Sequence, residues 1–71
     1  MRNEFKKGDK RYLRQYDMLG NELYQNEWAL LTYDKNGMFF AEDGMTWEYR
    51  TEARDEDLFT VEEYENYTWG N

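Results

Sequence analysis

Trp28-Ala29-Leu30-Leu31-Thr32-Tyr33-Asp34-Lys35-Asn36-Gly37-Met38-Phe39-Phe40-Ala41 reads as two strands and the turn that joins them. The run Trp28–Tyr33 is apolar on both faces except at Thr32, the pattern of a central strand covered on both sides. Met38–Ala41 repeats the character on the far side of Asp34-Lys35-Asn36-Gly37. The Asn-Gly pair tolerates the positive φ angles that a tight hairpin turn demands. A lone hairpin is marginal in water, so further strands are expected on both sides of it.

Downstream, Glu42-Asp43-Gly44 is a second turn signal leading into Met45–Glu52. There Met45, Trp47, Tyr49 and Thr51 alternate with Thr46, Glu48, Arg50 and Glu52, which predicts one buried and one solvated face. Upstream, Lys7-Gly8-Asp9 precedes the strand-like run Arg11–Tyr16, and Leu19-Gly20-Asn21 separates it from Glu22–Gln25. Short runs recurring with turns between them predict a mainly β domain. The expected form is a small antiparallel meander or SH3-like barrel of four to five strands. After the charged break Asp55-Glu56-Asp57, two readings stay open. Leu58–Val61 is compatible with a last strand, continued by Tyr64 and Tyr67. Thr60-Val61-Glu62-Glu63 also matches a capping box, which would start a short helix through Tyr67.

The chain has 71 residues and is expected to form one domain, 1–71, with 1–9 as a flexible basic N-terminal arm. A domain this small buries only ~60% of its unfolded surface, and its core supplies roughly 3–5 kcal/mol. Cysteine is absent, so disulfides and thiolate metal sites are excluded. Histidine is absent as well, removing the commonest zinc ligand and general base. Oligomerisation is the remaining staple. Fourteen large aromatics are more than one small core hides, so a homodimer is expected. No apolar run approaches the ~20 residues of a membrane span, and the N-terminus lacks a signal-peptide core. A soluble, cytoplasmic protein with no membrane partner is expected.

Serine is also missing, so the usual nucleophile–base pairs cannot form. Carboxylate pairs could serve as acid and base, but a sheet this small leaves little volume for a substrate pocket. The chain is expected not to be an enzyme and to need no cofactor. Asp55-Glu56-Asp57 and Glu62-Glu63 lack the alternating oxygen ligands, central glycine and final glutamate of a calcium loop, so no metal site is expected.

Charge is where the sequence speaks to function. Ten of the sixteen acids fall between Glu42 and Glu65, and only Arg50 and Arg54 oppose them, a local net charge of −8. Trp47, Tyr49, Phe59 and Tyr64 are interleaved, with Tyr67 and Trp69 just beyond. Acidic disordered tails lack such aromatics, so a folded module with a fixed negative face is expected. Such a surface repels nucleic acid and attracts basic proteins. The candidate partner-binding acids are Glu48, Glu52, Asp55, Glu56, Asp57, Glu62, Glu63 and Glu65. Tyr49, Tyr64, Tyr67 and Trp69 are the candidate aromatic anchors. Plain solubilisation by the acids is the simpler alternative.

Residues 1–14 carry the opposite sign, a net +4 against −11 for the rest. Lys6, Lys7, Lys10, Arg11 and Arg14 interleave with Phe5, Tyr12 and Tyr16, a composition able to stack bases. The pI of 4.4 weighs against it, because phosphate contact is dominated by charge. Direct nucleic-acid binding is therefore not expected. A protein-interaction module working through its aromatic face is a further alternative.

In size, charge, absence of Cys and His, and the acidic-aromatic stretch Glu42–Trp69, the whole chain resembles the small acidic phage proteins that inhibit host DNA-binding proteins by mimicking DNA. The resemblance rests on composition and on no shared motif. It implies a basic, DNA-binding host partner, such as the nucleoid-associated protein HU, and blockage of that partner's access to DNA in the bacterial cytoplasm. The basic N-terminal segment departs from the pattern of a pure mimic.

Overall fold

The computed structural model describes residues 4–67. Five antiparallel strands form one sheet: β1 (Lys10–Leu13), β2 (Ala29–Lys35), β3 (Met38–Phe40), β4 (Thr46–Glu48) and β5 (Leu58–Phe59). A short helix, α1 (Val61–Asn66), follows. Strand order is β4-β3-β2-β1-β5, so the first strand lies between the second and the last. The meander β1 to β4 is thus completed by a return of the chain to β1, leaving β4 and β5 as the two edges.

The central hairpin forms where the sequence places it. Asn36 and Gly37 take φ of 54° and 78°, the left-handed pair a two-residue turn requires. Tyr33 and Phe39 are cross-strand partners, and Lys35 pairs with Met38 across a bulge. The Tyr33 hydroxyl accepts from the Gly37 N–H at 2.9 Å, fixing the turn from beneath.

Period-2 alternation then sorts the side chains into two layers. On one face Leu13, Leu31, Phe39 and Ala53 make the core, with Ala29, Tyr33, Trp47, Tyr49 and Leu58 packed around them. On the other, Trp28 packs against Phe59, Tyr64 and Tyr67 at centroid distances of 5.0, 5.8 and 5.1 Å. Tyr12 stacks on Tyr64 at 3.6 Å. The helix is what covers this second layer. Burying large aromatics on both faces is how so small a sheet accommodates many of them.

Several expectations need correction. Residues 4–9, expected as part of a flexible arm, lie against the sheet. Phe5 packs against Tyr33, Phe39 and Tyr49 at 5.3, 5.1 and 5.0 Å. The Gly8 N–H donates to the Tyr33 carbonyl, and the Tyr33 N–H to that of Asp9. The first strand is shorter than Arg11–Tyr16, because beyond Leu13 the chain leaves β2 for a hairpin of its own. Within it, Glu22–Gln25 makes only a single bridge, Tyr16 to Glu22, and leads into a 3-10 turn over Gln25–Glu27. The Met45–Glu52 strand also stops early. Arg50 takes φ of 78° and turns the chain, so Thr51 is exposed; Met45 lies before β4 begins and is exposed as well, while Trp47 and Tyr49 face the core. At the C-terminal end both open readings are realised in succession. Leu58–Phe59 is a strand, and Thr60 then caps the helix. The Thr60 hydroxyl accepts from the Glu63 N–H at 3.0 Å, and the Glu63 carboxylate from the Thr60 N–H at 2.9 Å.

No helix among the described residues is long and apolar enough to cross a membrane.

Candidate functional site

Nine of the ten acids between Glu42 and Glu65 are exposed, so their charge is presented to solvent. They do not form one row. Glu42 and Asp43 occupy the β3–β4 turn, Glu48 ends β4, and Glu52 lies in the turn after it. Asp55 and Glu56 sit on the 3-10 turn leading to β5, and Glu62, Glu63 and Glu65 on α1. β4 and β5 are four strand spacings apart, about 19 Å along the sheet at ~4.8 Å per step. The acids therefore flank both edges.

Individual carboxylates differ in how free they are. Glu48 and Glu65 are exposed on the β4 edge and the helix. The Glu52 carboxylate accepts from the Glu48 N–H at 2.8 Å and braces the β4 turn. Asp55 accepts from the Tyr49 hydroxyl, and Glu56 pairs with Arg54. Glu63 is half of the capping box, and Glu62 stands beside it at the helix N-terminus, where negative charge is favourable.

Asp57, a candidate contact residue, is instead buried at 8% exposure. Its Oδ1 accepts from Arg14 Nε at 3.1 Å and from the Tyr16 hydroxyl at 2.7 Å. Arg14 also donates to the Glu56 carbonyl at 2.7 Å and lies 3.7 Å from Glu22. Burial and the bond to Asp57 push the Tyr16 hydroxyl above its ordinary pKa. Asp57 is thus the hub that ties the β1–β2 hairpin to β5, and it is not available to a partner.

The aromatic candidates are also committed internally. Tyr49 is half-buried against the core. Tyr64 stacks on Tyr12 and donates its hydroxyl to the Gln25 carbonyl at 3.0 Å. The Tyr67 hydroxyl donates to Glu22 at 2.7 Å, a bond that, with burial, raises its pKa. Trp69 lies outside the described residues.

No family model, curated protein or solved structure matches this chain.

Two features escaped the sequence reading. One is an open groove of about 350 Å³ lined by Ala29, Leu30, Ala41, Glu42, Asp43 and Trp47, whose ionisable groups are two adjacent carboxylates on one turn. The other is the exposure of Met18 and Leu19 at the tip of the β1–β2 hairpin. The run Gln15–Asp34 holds four acids and no base, a signal that was present in the sequence. It was overshadowed by the denser acids downstream. Among the described residues, no group of acids converges as a metal-ligand set.

Proposed function

We propose that this protein is an acidic binding protein that occupies the DNA-binding surface of a basic, nucleoid-type protein such as HU and blocks its access to DNA in the cytoplasm. One observation carries this function: nine carboxylates of residues 42–65 are exposed while only Arg50 and Arg54 oppose them, Arg54 being tied to Glu56. Such a surface raises the rate of encounter with a positive partner and makes the complex salt-sensitive. Because the acids flank both edges of the sheet, the partner engages more than one side of the domain. A homodimer would present the surface twice. The aromatic-face alternative is weakened by the internal contacts of Tyr49, Tyr64 and Tyr67.

The test is displacement of HU from a labelled DNA duplex, measured by fluorescence anisotropy at low and high salt. The protein should displace the duplex at low salt, lose potency as salt rises, and bind no duplex itself. Combining Glu42→Lys, Glu48→Lys and Glu65→Lys removes charge from both edges without touching a capping or bracing carboxylate, and should abolish displacement. A variant as potent as the wild type would refute the acidic-surface function.

A further inference from the structure

The tip of the β1–β2 hairpin carries the two most exposed large apolar side chains described, Met18 at 102% and Leu19 at 87%. Turn chemistry does not require them there. The β2–β3 turn is Asn36-Gly37, the β3–β4 turn begins Glu42-Asp43, and the turn after β4 is Arg50-Thr51-Glu52, all of them polar. Exposed single hydrophobics are ordinary. An adjacent pair at the end of a stiff projection is less so.

The projection is stiff because Asp17 closes it. Its Oδ1 accepts from the Leu19 N–H at 2.9 Å and the Asn21 N–H at 2.8 Å. Its carbonyl accepts from the Gly20 N–H at 3.0 Å, and its own N–H donates to the Asn21 carbonyl at 2.8 Å. At the base, Tyr16 bonds to Asp57 and the Trp28 indole N–H donates to the Leu23 carbonyl at 3.0 Å. A loop already held in one conformation loses little entropy when it docks, which is the usual advantage of a preorganised anchor.

We infer that Met18 and Leu19 are the apolar anchor of the contact with the partner, entering a hydrophobic pocket edged by Lys or Arg on a basic protein. The inference rests on the proposed acidic-surface function and adds where the affinity resides. Charge complementarity selects this occupant. The hairpin carries Asp17 and Glu27, with Glu22 paired to Arg14 at its base, and has no basic residue after Arg14. An anionic membrane would repel it. The open groove on a second copy of this chain is rimmed by Glu42 and Asp43, so it repels the tip as well. A basic rim is the environment that accepts both the apolar pair and the acids behind it. Flexible, polarizable Met is suited to such a pocket.

The test uses the full chain with purified HU as the probe, comparing wild type, the double variant Met18→Ser with Leu19→Ser, and Met45→Ser as an exposed apolar control. Serine keeps both backbone N–H groups of the turn, so the fold is retained. The double variant should lose at least about 30-fold in affinity, the effect of truncating a central anchor. Its dependence on salt should match that of the wild type, and Met45→Ser should bind normally. Wild-type affinity in the double variant, with salt dependence intact, overturns the anchor and leaves the acidic-surface function standing. Absence of salt-sensitive binding by the wild type overturns that function and the anchor with it. A change in sedimentation behaviour of the double variant alone, or loss of wild-type binding to phosphatidylglycerol vesicles in that variant, overturns the anchor by assigning the tip to self-association or to a membrane.

Discussion

Replacing Asp57 by alanine separates a structural acid from the exposed acids around it. The wild-type carboxylate is 8% exposed and holds Arg14 Nε at 3.1 Å and the Tyr16 hydroxyl at 2.7 Å. Its loss leaves a half-buried guanidinium with a weaker partner, Glu22 at 3.7 Å, and the Glu56 carbonyl. A charged hydrogen bond contributes ~1.5–3 kcal/mol and a neutral one ~1 kcal/mol. Because Arg14 keeps two other contacts, the expected loss is about 2–4 kcal/mol, toward the lower end of the cost of breaking a buried pair. Against roughly 3–5 kcal/mol of total stability, that brings the domain close to its unfolding threshold. At ~4–8 °C per kcal/mol, Tm should fall by about 8–32 °C. Urea titration and thermal melting, both followed by tryptophan fluorescence, measure the two losses, with Glu56→Ala as an exposed neighbour expected to change stability by no more than ~0.5 kcal/mol. Tyr16→Phe removes a hydroxyl that donates to a carboxylate and should cost ~1.5–3 kcal/mol. A stable Asp57→Ala variant, within ~0.5 kcal/mol of wild type, would refute the assignment of Asp57 as the hub.

Other perturbations probe other joints. Phe5→Ala should destabilise by about 2–3 kcal/mol, because the ring fills the space between Tyr33, Phe39 and Tyr49; a neutral result in the same urea titration would mean that residues 4–9 do not dock. Thr60→Ala removes a hydroxyl that satisfies the Glu63 N–H and should cost ~1 kcal/mol, whereas Thr60→Ser should restore most of it; equal melting curves for wild type and both variants would contradict the capping box. Asp17 should titrate below its ordinary value of 3.8, since the hydrogen bonds from the Asn21 and Leu19 N–H groups favour its charged form. With the folded pKa depressed, the turn is fully closed above the ordinary value and opens only as pH falls through the lower one. The Leu19 and Asn21 amide resonances report this directly, and a midpoint at or above 3.8 would show that the carboxylate does not close the turn.

The hairpin was legible because its signals are local: two apolar runs and an Asn-Gly turn whose φ angles leave few alternatives. The capping box was legible for the same reason. What the sequence did not disclose depends on distant partners. Residues 1–9 look like a basic arm by charge, yet Phe5 finds three rings far along the chain. Arg50 gives no sign of a left-handed backbone, so the alternation through Thr51 overstated β4. Asp57 is indistinguishable in sequence from Asp55 and Glu56. Only the approach of Arg14 and Tyr16, some forty residues away, makes it a buried hub. Nine of the ten acids from Glu42 to Glu65 are exposed and Asp57 is not, and strand order, which places β4 and β5 at opposite edges, decides that they flank the sheet.

The return of the chain to β1 has a consequence for the order of events at the ribosome. As the polypeptide emerges, β1 through β4 can pair in succession, each with its predecessor. The second partner of β1 arrives only with Leu58 and Phe59, and the cover for Tyr12 and Trp28 only with Tyr64 and Tyr67. Until then one side of the nascent sheet displays bare aromatic rings, the kind of surface that drives aggregation before folding is complete. The segment that completes the fold, from Glu42 onward, is the most acidic in the chain. The mutual repulsion of its carboxylates disfavours contact between copies whose last strand and helix have not yet docked, so carboxylates proposed to face a partner also bear on how cleanly the domain completes its fold.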